Sequence, residues 1–315
     1  MKDNLNRDIY YLRLSVTDKC NLRCIYCMPE TGVQKLKHED VLSVDEIAEI
    51  ARISALCGIT KVRVTGGEPL VRRGIIDICK KIAQTDGIEE LCLTTNGVLL
   101  PKYANELKAA GVNRVNISLD SLNNITYNEI TRMDLLDEAL KGVQVALETG
   151  FDNVKINAVL IGGINDNEIR SILELTRKHK VNVRFIEIMP IGECSDWAKT
   201  RFVSSKQVLQ VAPELKEAGT DGVSILYKLP GGLGTVGLIS PISSHFCPTC
   251  NRIRVTSEGI LKPCLHSAEE INLRGLHGAE LEKVIRDAIL NKPTKHGLDT
   301  GTGSACMRNM NIIGG

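Results

Sequence analysis

From residue 10 to about residue 190, short apolar or alternating runs take turns with longer stretches of helical spacing. The runs "YYLRLSV" (10–16), "KVRVT" (61–65), "ELCLTT" (90–95), "NRVNISL" (113–119), "NVKINAVL" (153–160) and "VRFIEIM" (183–189) read as strands. The first helix between them is well marked. Ser43 and Glu46 have the spacing of a capping box, and Ile47, Ile50, Ala51, Ser54 and Ala55 follow at helical intervals. Gly58 stops it, and further breaks fall at Gly87, Gly111 and Gly150. Alternation of this kind predicts right-handed βαβ units and a parallel sheet. A closed eightfold barrel needs about 250 residues of such repeats, and six units are visible. The expected fold is therefore α/β: an incomplete, laterally open (β/α)6 barrel of TIM type. Residues 191–240, with the Gly-rich "PGGLGTVG", are less regular, so the barrel is assigned to 1–195 and a small C-terminal module to 196–315.

The strands are also sided. Side chains alternate across a strand, so Arg13 and Ser15 oppose Leu12, Leu14 and Val16, while Lys61, Arg63 and Thr65 oppose Val62 and Val64. Asn116, Ser118 and Asp120 oppose Val115, Ile117 and Leu119, and Lys155 and Asn157 oppose Ile156 and Ala158. Strands buried on both faces should instead read as continuous apolar runs. An edge strand with one wet face would explain any one case. Four strands agreeing predict a cavity lined by Arg, Lys, Ser, Thr and Asn, suited to a polar, anionic ligand.

Charge sharpens this picture. The 315 residues carry 39 basic and 38 acidic side chains, a net +1. No global field exists to hold nucleic acid, so an anion site must be local. The N-terminal "MKDNLNRDIYYLRLS" has no apolar signal region and no run approaches a membrane span. Eleven cysteines, several clustered, point to metal or catalysis in a reducing cytoplasm rather than to disulfides.

Cys20, Cys24 and Cys27 in "CNLRCIYC" are spaced C-x3-C-x2-C. A structural zinc or a four-iron cluster normally takes four protein ligands. Two readings stay open: a zinc completed by a distant residue such as His38, or a cluster with one iron left for a small molecule. A second group, Cys247, Cys250 and Cys264, is spaced C-x2-C-x13-C. Here too a zinc ribbon with His245 or His266 stands beside a cluster with an open iron. Arg252 and Arg254 follow at i, i+2 on an expected strand, so both face one side, as bidentate phosphate recognition requires. Cys57, Cys79, Cys92, Cys194 and Cys306 read as core or surface thiols.

The first cysteine spacing, with Tyr26 before the last thiol and "TGGEP" at 65–69 after the second strand, resembles the signature of radical S-adenosylmethionine enzymes. More narrowly, "LRLSVTDKCNLRCIYCMP", "KVRVTGGEPLVRRG", "LTTNG", "NISLDSL", "VKINAV", "RFIEIMP", "GLISPIS", "FCPTCNRIRVT" and the terminal "IIGG" resemble the GTP 3′,8-cyclase family nearly end to end. That resemblance implies two [4Fe-4S] clusters, on Cys20, Cys24 and Cys27 and on Cys247, Cys250 and Cys264. Tyr26, Gly67, Ser118 and Met189 would contact S-adenosylmethionine. Arg13, Arg63, Thr94 and Lys155 would hold GTP, with Arg252 and Arg254 beside the second cluster. Arg13, Gly314 and Gly315 would serve catalysis, the last two as a thin tail entering the site. The implied activity is the cyclisation of GTP to (8S)-3′,8-cyclo-7,8-dihydroguanosine 5′-triphosphate, the first step of molybdenum-cofactor biosynthesis. It brings an electron donor such as flavodoxin or ferredoxin, cyclic pyranopterin monophosphate synthase as the next enzyme, and allows a homodimer. A radical peptide maturase and a non-catalytic zinc protein are the rivals. Arg184 and residues 191–240 receive no role.

Overall fold

The structure, a computed structural model, describes residues 1–33, 36–298 and 304–314. Each run with strand pattern forms a strand: β1 (Tyr11–Ser15), β2 (Lys61–Thr65), β3 (Glu90–Thr95), β4 (Arg114–Ser118), β5 (Asn153–Leu160) and β6 (Asn182–Glu187). Between them lie α1 (Val44–Leu56), α2 (Ile75–Ala83), α3 (Leu100–Ala109), α4 (Asn124–Thr131), α5 (Leu136–Glu148) and α6 (Ile169–Lys178). The capping box of α1 is present in both directions: Ser43 Oγ accepts from Glu46 N, and Glu46 Oε2 accepts from Ser43 N. Such a cap stabilises a helix start by about 1 kcal/mol. The four glycines read as breaks all adopt positive φ.

The alternation assigned from sequence is the sidedness of the sheet. Leu12, Leu14, Val62, Val64, Val115 and Ile156 join one continuous apolar core beneath the helices. Arg13, Arg63, Asn116, Ser118, Lys155 and Asn157 face inward, where they line a cavity.

Residues 196–315 contribute more to this sheet than their irregular pattern implied. They form α7 (Gln207–Val211), β7 (Lys216–Asp221), β8 (Ser224–Lys228), β9 (Thr235–Ile239), β10 (Arg252–Val255), β11 (Ile260–Lys262), β12 (Ile271–Asn272), α8 (Gly278–Leu290) and α9 (Met310–Ile313). The strand order is β12-β11-β10-β1-β2-β3-β4-β5-β6-β9-β8-β7. Strand β9 pairs in parallel with β6, and β10 in parallel with β1. The barrel sheet is thus an open one, with eight parallel strands among the described residues and antiparallel extensions at both ends. "PGGLGTVG" is the turn into β9 and its first half. Nothing in its composition distinguishes such a strand from a loop, because its partner β6 lies about fifty residues away.

Candidate active site

The first cysteine loop leaves the C-terminal end of β1, where barrel folds carry their chemistry. It is stapled from two sides. Arg23 N and Ile25 N donate to Thr131 O and Ile130 O at the end of α4, both at 2.9 Å. Arg132, in the left-handed region at φ 57°, sends Nη1 to Arg23 O and Met28 O at 3.1 Å each. Opposite, Gly67 N donates to Thr17 O (2.7 Å) and Glu68 N to Lys19 O (2.8 Å). A Cβ on Gly67 would stand 2.7 Å from Asp18 O and overlap Lys19 O. The cysteine loop itself therefore requires a glycine at this position, which the family resemblance places at S-adenosylmethionine.

Glu68, fully buried, ties the next motif to this loop. It accepts from Thr95 Oγ1 and Asn96 N, both at 2.7 Å, and burial pushes its carboxyl up to about 7. Asn96 Nδ2 then reaches Asn21 Oδ1 (2.8 Å) and lies 3.9 Å from Cys20 Sγ.

Cys20, Cys24 and Cys27 lie beside one another. Burial raises all three thiols, Cys20 to about 11 with Glu68 adding to it, while neighbouring thiols raise Cys24 and Cys27 further. Donors aim at two of them: Leu22 N at Cys20 Sγ (3.4 Å) and the backbone N–H of Asn311 at Cys27. A set of soft thiols held close and supplied with N–H donors fits an iron–sulfur cluster. A cubane takes each thiolate at a separate iron. The side chain of His38, and Gly315, lie outside the described residues.

Above the loop opens a cavity of about 330 Å³. Every residue expected at GTP lines it: Arg13, Arg63, Thr94, Lys155, Arg252 and Arg254. So do Tyr26, Ser118 and Met189, and the second thiol group, Cys247, Cys250 and Cys264. Gly67 stays beneath the cysteine loop. Register explains the cationic floor. Arg254, Arg13 and Arg63 are in-register neighbours on β10, β1 and β2, with strands about 4.8 Å apart. Thr94, Asn116 and Lys155 form a second row on β3, β4 and β5.

Burial and neighbouring cations work together here. Burial and then Arg254 push the Arg13 guanidinium well below its usual range, and burial with Arg252 brings Arg254 down to about 10. Burial and Arg184 lower the Lys155 ammonium to about 8. Burial opposes ionisation of the Tyr11 phenol, yet Arg63 and Arg13 bring it down to about 8. Buried Arg252 Nε, Arg184 Nε, Asn116 Oδ1 and Asn157 Oδ1 have no hydrogen-bond partner among the described residues. Buried polar atoms are normally satisfied, so this wall fits a ligand rich in anionic oxygens and hydroxyls.

The tail reaches the same place. Arg254 Nη1 donates to Gly314 O at 2.6 Å, and Asn311 Nδ2 to Asp18 O at 3.1 Å. Gly314 is buried, with φ +84°; a Cβ there would stand 3.1 Å from Ser15 Cβ and overlap Thr65 Oγ1.

Other residues of the site had weaker signals or none. Asp120 shared the inward parity; it accepts from Tyr26 Oη (2.6 Å) and Val159 N (2.7 Å), and burial raises it to about 6. Arg184 lines the cavity from β6; Met189 does so from beyond the strand end, so parity did not relate the two. Asp221 enters from the β7–β8 hairpin, which the sequence left unassigned. His245 Nδ1 lies 3.2 Å from His296 Nε2, and the His266 and His296 ring centres are 4.8 Å apart, beside the second thiol group. The five remaining cysteines are buried in the core.

Residues 14–176 match the model of the radical SAM superfamily, and residues 181–298 that of the Molybdenum Cofactor Synthesis C family. Over its whole length the chain is 51% identical to a GTP 3′,8-cyclase of Alkaliphilus metalliredigens (strain QYMF), covering all of that protein. The chain belongs to the GTP 3′,8-cyclase family. It is 49% identical, with full coverage of both chains, to the GTP 3′,8-cyclase of Alkaliphilus oremlandii (strain OhILAs). A relative from Peptoclostridium acidaminophilum is 46% identical over 99% of this chain and 98% of its own. Among solved structures, Streptococcus suis SuiB bound to precursor peptide SuiA superposes with a TM-score of 0.64, over 92% of this chain and 66% of that one, at 15% identity. Native anSMEcpe with bound AdoMet gives 0.53 over 90% and 81%, at 13%. At such identities these two share the fold alone.

Proposed function

We propose that the chain is a GTP 3′,8-cyclase, forming (8S)-3′,8-cyclo-7,8-dihydroguanosine 5′-triphosphate from GTP in the first step of molybdenum-cofactor biosynthesis. The observation that carries this reading is the in-register cationic floor of Arg254, Arg13 and Arg63, set between two three-cysteine groups. Cys20, Cys24 and Cys27 would hold one [4Fe-4S] cluster with an open iron for S-adenosylmethionine, and Cys247, Cys250 and Cys264 a second with an open iron for substrate. When bound, these groups supply the one-electron and radical chemistry.

The chain's own residues supply position. Tyr26, oriented by Asp120, and Ser118 and Met189 form the wall that S-adenosylmethionine would meet. Gly67 belongs to that wall only indirectly, by holding the cysteine loop. Arg13, Arg63, Thr94 and Lys155 would anchor the triphosphate and sugar, and Arg252 and Arg254 would hold the nucleotide beside the second cluster. Fixing the substrate in this way gives the orientation that a bimolecular radical step in solution lacks. Gly314, accepted between Ser15 and Thr65 and tied to Arg254, would bring the tail to the cavity's cationic floor, and Gly315 would follow it.

An electron donor such as flavodoxin or ferredoxin would serve the first cluster, and cyclic pyranopterin monophosphate synthase would consume the product. No helix among the described residues is long and apolar enough to cross a membrane. The free, buried thiols support a reducing cytoplasm. Anaerobic turnover of the reconstituted enzyme with GTP, and with ATP as control, tests the reading. A cyclised product from GTP alone is expected; equal turnover of both, or of neither, would overturn it.

A further inference from the structure

The cavity contains a carboxylate where an anionic substrate would go. Asp221 sits at the turn of the β7–β8 hairpin, followed by Gly222 at φ +63°. Its Oδ2 accepts from Lys155 Nζ at 2.5 Å and pairs with Arg184 Nη2 as well. Both cations are buried, with side chains 4% and 12% exposed, whereas Asp221 is 39% exposed. The carboxylate therefore reaches in from the mouth and caps two buried cations. The strand behind it is loosely held. Residues 216–220 of β7 are exposed, β7 pairs with β8 alone among the described strands, and the pairing slips between Glu217 and Thr220.

We propose that Asp221 is a built-in stand-in for a substrate phosphate, which the triphosphate must displace to reach Lys155 and Arg184, and which thereby sets selectivity for highly charged nucleotides. This rests on the reading that GTP phosphates occupy this cavity. Two buried cations side by side repel, and Lys155 is already pushed down by burial and Arg184. Asp221 relieves that repulsion in the resting enzyme. A ligand gains at this point only by offering more negative charge than the single carboxylate it removes. A triphosphate does so; a nucleoside, which has no anion to place there, neither competes nor benefits. The exposed hairpin lets the carboxylate leave without disturbing the core.

The test uses Asp221→Asn in the anaerobically reconstituted holoenzyme, with isothermal titration of GTP, GMP, guanosine and inorganic tripolyphosphate. Removing the competing charge should tighten GTP and tripolyphosphate by about tenfold, the scale of one charge-assisted contact. Guanosine should change less than about twofold. The same variant should have a lower melting temperature without ligand and regain it with tripolyphosphate, and Asp221→Glu should restore the wild-type order of affinities. Unchanged or weaker GTP and tripolyphosphate binding in Asp221→Asn would overturn the inference. If the wild-type enzyme bound no GTP, the functional reading itself would fail, a result distinct from that one.

Discussion

Replacing Gly314 by Ala should abolish cyclisation while leaving both clusters in place. The new methyl group would overlap Thr65 Oγ1 and press on Ser15 Cβ at 3.1 Å, in a pocket already closed by β1 and β2. Overpacking of that kind costs about 1–3 kcal/mol. The backbone adds strain, because φ is +84° at this residue and the left-handed region costs a residue with a Cβ about 1–2 kcal/mol. Together they weaken docking of the tail by about 2–5 kcal/mol, or at least thirtyfold in its docked population. Arg254 then loses the Gly314 carbonyl, and the Asn311 contacts to Asp18 O and Cys27 loosen with it. The assay pairs anaerobic product formation with iron content and amide exchange across residues 304–314. Exchange should accelerate there and nowhere else. Adding Thr65→Ala removes the overlapping oxygen and should restore part of the activity, the φ strain remaining. Full cyclisation by Gly314→Ala, with unaltered exchange in the tail, would refute the reasoning and return the tail to an ordinary chain end.

Arg252→Ala or Arg254→Ala should each weaken GTP binding by about 1.5–3 kcal/mol, measured by titration, while uncoupled cleavage of S-adenosylmethionine persists. Cys24→Ala should halve the iron content and end that cleavage, with the spectrum of the second cluster retained. GTP affinity should fall as pH rises through about 8, because Lys155, lowered to about 8 by burial and Arg184, binds phosphate only when protonated. Its free-protein contribution has the opposite sign: with the folded value depressed, stability from the neutral lysine is full above its unfolded pKa and lost as pH drops through about 8. Lys155→Arg should carry the affinity loss out of that range. Arg7→Ala should cost about 3–5 kcal/mol by stranding buried Asp3. It should also release iron from the second site first, since Arg7 Nη1 supports Cys247 O at 3.1 Å and its Nη2 holds Lys292 O and Pro293 O.

Much of this site is legible in the amino-acid sequence alone, because its signals are local. Strand side chains alternate with period two, so Arg13, Arg63, Asn116 and Lys155 can be placed opposite Leu12, Val62, Val115 and Ile156 by counting. The thiols of each group lie close along the chain, and a capping box spans three residues. These relations hold within one element or one loop and need no knowledge of its neighbours. Relations between distant segments cannot be counted out. That β9 and β10 close on the two edges of the six-stranded core, and that Arg254 stands in register with Arg13 some 240 residues earlier, depends on which strands find each other. That choice is made by burial of the whole apolar face, and no single segment encodes it. The same holds for Gly67, whose missing Cβ is needed by Asp18 and Lys19 across the loop, and for Asp221, an ordinary turn residue until the hairpin carries it to Lys155 and Arg184. Spacing along the chain determines which groups share a face; only packing determines which faces meet.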